Sequence, residues 1–433
     1  MLLLSVAGVW QVRQRTPLPW VLSAIAIAVP YFFMRDWLTQ SLVMLLTASV
    51  AALTVRKNDP KSGAAVLQAS YLITAFTYLA AAMHKLNEGF FDPLTGCAAH
   101  GMDRLDVLLP WVPLATSGGI REALPWLVVS TEVLVAVLLV VRPRHGMVLG
   151  LLFHIPLTLV FAPAFVFVML IGYAARLRAD EVHSLALVLN ERLIPLLIGF
   201  AISVLLTAIS IDTVTALHVD TRWHRADLWQ KVPIVLVLTW VLLEDQWRRW
   251  CLRGRDDGSA WTAPPSPTPA WTATPVLATG IFVAMSFTPY LGTQMQHTGA
   301  MLSNLRIDEP CWNHLVFTES VFGDPYIRVV EASIADDPDN LVAEYRQKEL
   351  LLEARLWSSP QFEQMRRNWC AERMRPIFIR GTQFGELFEI ADLCDHSIAL
   401  PRDRGVFGGR AWFSDYLRLQ KNLPQTCNMR CLH

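Results

Sequence analysis

Residues 71–93 read YLITAFTYLAAAMHKLNEGFFDP. A long apolar run closes on a His-Lys pair and a Phe-Phe-Asp-Pro stop. In a helix, Tyr71, Thr74, Tyr78, Ala81 and Lys85 recur at spacings of three and four, so they form one stripe of polar or small side chains. A polar stripe on an otherwise apolar helix faces protein or a cavity, not lipid. The stretch therefore predicts a membrane helix over 64–84 whose one face turns to protein or a cavity.

Further runs of this kind lie on either side. A helix needs about 20 apolar residues to cross a ~30 Å hydrocarbon core. Residues 18–33, 37–54, 122–141, 193–211, 232–247 and 273–291 qualify, several of them barely. Segment 146–175 is too long for one crossing, and Pro163 interrupts it within FAPAF. It reads as a hairpin of two helices, 146–162 and 164–175. Residues 1–11 are apolar but too short to span alone, and read as an interfacial segment or an extraneous start of the chain. With no basic residue before the first apolar run, residues 1–30 do not read as a secretory signal.

Charge supports the hairpin. With it, one membrane side carries 14 basic residues, in loops such as Arg56-Lys57 and Arg248-Arg249, and the other side carries 7. The positive-inside rule makes the richer side cytoplasmic. A single crossing at 146–175 would erase the bias. The prediction is about nine crossings with the C-terminus outside the cytoplasm.

Composition divides the chain in two. Of its residues, 53% are apolar and 17% charged, with no net charge. No basic surplus exists to neutralise phosphates, which argues against nucleic acid as a partner. Residues 292–433 carry 35 charges in 142 positions, against 39 in the first 291. The expected architecture is an all-α polytopic membrane helix bundle over 1–291, with one broken hairpin, followed by a small α+β extramembrane domain over 292–433. A Pro/Ser/Thr-rich linker, 256–272, precedes the last span. In the outer domain HLVFT, YIRVVEASI, PIFIRG and ELFEIA read as strands, and 338–357 and 360–375 as helices.

Ionisable groups inside spans cost about 2.5–3.5 kcal/mol each at a helix centre, so they point to function. Lys85, with His84 beside it, either snorkels to the interface or acts as a general base. Glu132 sits near the middle of its span, as a helix-gluing carboxyl or part of a site. A lysine base requires Glu132 to be protonated or beyond direct contact. His154, in GLLFHIPLTLVFAP, is a packing residue or a cavity residue. The tail CNMRCLH lacks a second ligand pair, so no metal is expected. Cys311, Cys370, Cys394, Cys427 and Cys431 lie in the domain placed outside, where disulfides form. Five is odd, so one is free or paired elsewhere.

Three stretches resemble the vitamin K-dependent gamma-carboxylase family and its bacterial relatives with the horizontally transferred transmembrane domain. They are YLAAAMHKLNEGF, FHIPLTLVFAPAFVFVML and LGTQMQHTGAMLSNLRIDEPCWNHLVF, together covering roughly residues 15–330. The resemblance implies a quinol cofactor, reduced vitamin K or another quinol, with O2 and CO2 as co-substrates and a peptide or small acidic substrate. It makes Lys85 the base that deprotonates the quinol and puts His154 in the catalytic cavity. Tyr78, Thr74, His84 and Glu132 would line that cavity. Ser303, Asn304, Arg306, Asn313 and His314 would join the two domains. A multi-pass protein of a bacterial inner membrane is implied. The rival expectation is a non-enzymatic quinone- or lipid-binding module or scaffold. It places Lys85 in the headgroup layer, with Glu132 and His154 paired away from it.

Overall fold

The computed structural model describes residues 18–33, 41–55, 62–108, 118–160, 165–175 and 269–291, and single positions between 191 and 247. Further on it describes 303–306, 308, 311–319, 326–334, 352–357, 359–371, 376–383, 385–395, 425–427 and 431. Segment 1–11, Pro163, most of 193–211 and 232–247, linker residues 256–268 and residues 338–351 lie outside the described set.

The described helices of the bundle include α1 Leu18–Phe33, α2 Ser41–Thr54, α3 Ser62–His84, the single turn α4 Glu88–Phe91, α5 Cys97–Leu108, α6 Gly118–Val141, α7 Pro143–Val160, α8 Phe165–Ala174 and α9 Pro269–Phe287. A 3-10 turn, Thr288–Leu291, ends the last. Helix α9 begins at Pro269, inside the expected linker. Proline suits a first helical turn, whose N–H has no intrahelical partner.

Among the described residues, three helices are long and apolar enough to cross a membrane: 64–84, 118–141 and 273–291. Three of the nine expected crossings therefore have such a helix among the described residues, and 193–211 and 232–247 lie mostly outside them. At 1.5 Å per residue, the described parts of α1 and α2 measure about 24 and 21 Å, against a core of ~30 Å.

Helix α3 is central and packs on α2, α6, α8 and α9. Its Ala69 and Ile73 face Leu42, Leu46, Ala278 and Phe282. Its Tyr71, Ala75 and Tyr78 pack with Val135, Leu139, Leu151, Met169 and Tyr173. Helices α7 and α8 fold back on each other as the hairpin reading expects. Gly150 lies against Tyr173, where a Cβ would overlap the tyrosine hydroxyl. Helix α6 buries Pro125, Val129, Glu132, Ala136 and Leu139 at spacings of four and three. Its Trp126, Leu127, Val133, Leu134, Val137 and Val140 are exposed, an apolar face suited to lipid.

The C-terminal module is a four-stranded antiparallel sheet in the order β2-β1-β3-β4. The strands are β1 Ile327–Ile334, β2 Leu356–Trp357, β3 Ile377–Gln383 and β4 Glu386–Ile390. Helix α10, Ser359–Ala371, lays Phe362 and Met365 on Ile327, Val329, Ile377 and Ile379. Strands over 326–334, 376–381 and 386–391 were legible from alternation. Two expectations are corrected. Residues 356–357 close the expected helix 338–357 as a strand instead, because they pair with Arg328 and Ile327. HLVFT is not a strand: His314 makes one isolated bridge to Asn87, and the chain then bends back on the histidine ring.

Candidate active site

The stripe on α3 is buried along its whole length. The Tyr71 hydroxyl donates to the Leu139 carbonyl of α6. Thr74 packs against Gly172 of α8. The Tyr78 and Tyr173 hydroxyls are hydrogen-bonded to each other. At the end of the stripe, Lys85 Nζ donates to Glu132 Oε1 at 2.8 Å and to the Ala81 carbonyl at 3.4 Å. The Phe90 ring centroid is 5.9 Å from Nζ.

Lys85 and Glu132 are only 5% and 4% exposed. Glu132 lies near the middle of the 24-residue α6, so Lys85 lies level with the middle of that helix. Lys85 is buried against Glu132 rather than extended to the surface, and of the two conditions for a lysine base, a protonated Glu132 or one beyond direct contact, the contact removes the second. Desolvating two charges costs several kcal/mol each, and a buried pair persists only with close geometry such as this. Glu132 Oε2, buried, has no hydrogen-bond partner among the described residues.

His154 of α7 is buried with its ring 5.7 Å from that of Tyr78 and 5.8 Å from that of Phe153. Tyr78 lies two turns before Lys85 on the same stripe and shares a core cluster with Val135 of α6, three residues beyond Glu132. The structure thus gathers Lys85, Glu132, Tyr78 and His154 into one buried polar region and adds Tyr173. Thr74 sits deeper, at the α3–α8 contact.

His84 turns the other way. Its Nδ1 bonds the Tyr290 hydroxyl at 2.7 Å, and that hydroxyl is 3.1 Å from His314 Nε2. His314 Nδ1 accepts the Val316 and Phe317 amides at 3.1 and 3.0 Å. Counting donors therefore puts the ring hydrogen on Nε2, which also faces the Met83 carbonyl at 3.0 Å. Burial lowers the pKa of His314 and the Met83 carbonyl opposes that shift.

The junction residues meet the turn after α3. Asn87 caps α4 by accepting the Phe90 amide, and donates to the carbonyls of His84 and Ser303 at 2.7 and 2.5 Å. Asn304, at φ 53°, accepts the Cys97 amide at 2.6 Å. Asparagine tolerates this left-handed backbone better than most residues. Asn313 bonds the Arg306 amide and the Asn304 carbonyl. A Cβ at Gly89 would come within 2.8 Å of Asn313 Nδ2, so only glycine lets the turn lie this close. Arg306 and Asp308 form a buried two-point ion pair, joined by Arg328, and Arg306 also holds the Thr426 carbonyl.

Disulfides finish the attachment: Cys97–Cys431, Cys311–Cys427 and Cys370–Cys394. The odd cysteine of the C-terminal five, Cys431, pairs with Cys97, the first residue of α5, and counting Cys97 with those five would have made the number even. Tyr173 and Tyr290 carried no local signal, since each gains its meaning from a partner far along the chain. No family model, curated protein or solved structure matches the chain.

Proposed function

We propose that the chain is a multi-pass membrane enzyme of the gamma-carboxylase-like kind, with a buried Lys85–Glu132 acid–base pair acting on a quinol-type cofactor. The observation that carries this reading is Glu132 Oε2, a buried carboxyl oxygen without a donor among the described residues, beside the buried Lys85 amine. Leaving such an atom unsatisfied costs about 1–3 kcal/mol or more, so it suits a ligand's hydroxyl. The aromatic and apolar neighbours Phe90, Ala82 and Val129 suit a lipophilic ring. A reduced quinol supplies an acidic aromatic hydroxyl and the electrons for reaction with oxygen. The chain's own residues orient that hydroxyl, exclude water and receive its proton. Tyr78, Tyr173 and His154 form the inner wall.

In this reading about nine helices cross a bacterial inner membrane and the C-terminal module is extracytoplasmic. The basic-residue bias and the six cysteines paired among residues 97–431 support that placement. The acidic substrate accepts carboxylation or gives up a proton at the module's side of the site.

The ion pair itself also fits helix gluing in a scaffold or lipid-binding protein, and one experiment separates the two. The full chain in nanodiscs is given menadiol and oxygen, and oxygen uptake is compared with that of empty discs. Uptake above the blank is expected. Replacing the pair by apolar residues, Lys85→Met with Glu132→Leu, should lower it at least about a hundredfold while the bundle stays folded. Wild-type uptake equal to the blank sinks the quinol reading. Undiminished uptake in the double variant leaves the pair as glue.

A further inference from the structure

The two oxygens of Glu132 differ. Oε1 is held by Lys85 Nζ at 2.8 Å, and Oε2 has no partner among the described residues. In the ion pair the lysine nitrogen carries three hydrogens and has no lone pair to offer. Nζ has Glu132 Oε1 at 2.8 Å and the Ala81 carbonyl at 3.4 Å, with the Phe90 ring centroid 5.9 Å away. The available lone pairs are on Oε2.

We infer that Glu132 Oε2, not Lys85 Nζ, is the atom that takes the proton from a lipophilic aromatic alcohol, and that Lys85 is a positioning residue. The inference rests on the site reading above. The substrate O–H bond breaks, its proton forms a new O–H on Oε2, and the electron pair stays on the substrate oxygen. The carboxyl becomes neutral, so the Lys85 ammonium loses its counter-ion as the new anion appears beside it. The ammonium then stabilises that anion, and total charge is unchanged. Phe90, Ala82 and Val129 give the site its apolar side: Ala82 and Val129 each lie three residues before one member of the pair. A neutral ring with one weakly acidic hydroxyl meets these requirements, and an already charged small acid does not.

The test uses 1-naphthol, whose anion absorbs at longer wavelength than the neutral form. It is added at neutral pH to the full chain in nanodiscs. Wild type should show the anion band. Glu132→Gln keeps the shape and an oxygen acceptor for Lys85 but removes the basic carboxylate. It should bind 1-naphthol and lose the band at least about a hundredfold. Lys85→Arg keeps the cation but never deprotonates, and should retain a weakened band. A band lost in Lys85→Arg and kept in Glu132→Gln overturns the inference and makes the lysine the base, leaving the site in place. Absence of 1-naphthol binding to the wild type overturns the site reading itself.

Discussion

Lys85, the first residue after α3, reaches Glu132 across 2.8 Å and so fixes the end of that helix beside the middle of α6. Removing one partner leaves a charge in a site built for two. Lys85→Met alone should destabilise the bundle by about 3–5 kcal/mol, or force Glu132 to take up a proton. Adding Glu132→Leu should restore most of the loss. Thermal melts of the two single variants and the double variant in detergent check this, and additive effects would deny the coupling.

Non-reducing peptide mapping should recover Cys97 linked to Cys431, Cys311 to Cys427 and Cys370 to Cys394. Alkylation before reduction should leave all six unlabelled. In Cys97→Ser, Cys431 alone should become reactive, and the tail should be more easily clipped by protease. Six thiols that alkylate freely would argue for a reducing compartment.

Arg306 is expected to hold the tail. Its guanidinium grips both oxygens of Asp308 and the carbonyl of Thr426. Arg306→Ala should cost about 3–5 kcal/mol in unfolding of the C-terminal module, because Asp308 is fully buried. Arg306→Lys should rescue little, since an ammonium cannot span both oxygens. Urea unfolding followed by tryptophan fluorescence measures both.

His314 makes the junction pH-sensitive. Burial holds its pKa below the ordinary value near 6.5, so folding favours the neutral ring. Its contribution is complete above about pH 6.5 and is lost as pH falls through the folded value. Protonation at Nδ1 would also expel the Val316 and Phe317 amides. The protection factors of those two amides against hydrogen exchange, corrected for the intrinsic pH dependence, should fall as pH drops below about 6.5. His314→Asn keeps an acceptor there and should flatten the dependence.

For topology, cysteines placed at 57–61 and 248–255 should label from one membrane side and exposed positions of 292–433 from the other. Cys97, at the start of α5, is bonded to Cys431 and must share the module's side. Labelling of 292–433 from the side of 57–61 would reverse the proposed placement of the site.

The sequence by itself pointed to two parts of unlike charge density, to the positions of most of the described helices and to the α3 stripe. Helical recurrence and strand alternation are local, and charge density separates the two parts without any folding. It also pointed to Lys85, Glu132 and His154, because an ionisable group among apolar residues stands out wherever it lands. Only the tertiary structure decided which of them meet. Lys85 finds Glu132 47 residues away, and His84 turns to Tyr290 206 residues away. Cys97 joins Cys431 334 residues later. No local pattern encodes such pairings. They arise because α3 is enclosed by α2, α6, α8 and α9, and burial there leaves each polar atom only the partners that packing brings within reach. The same reason made β2 a strand: two residues at the edge of a helical pattern gain more by pairing with β1 than by extending a helix.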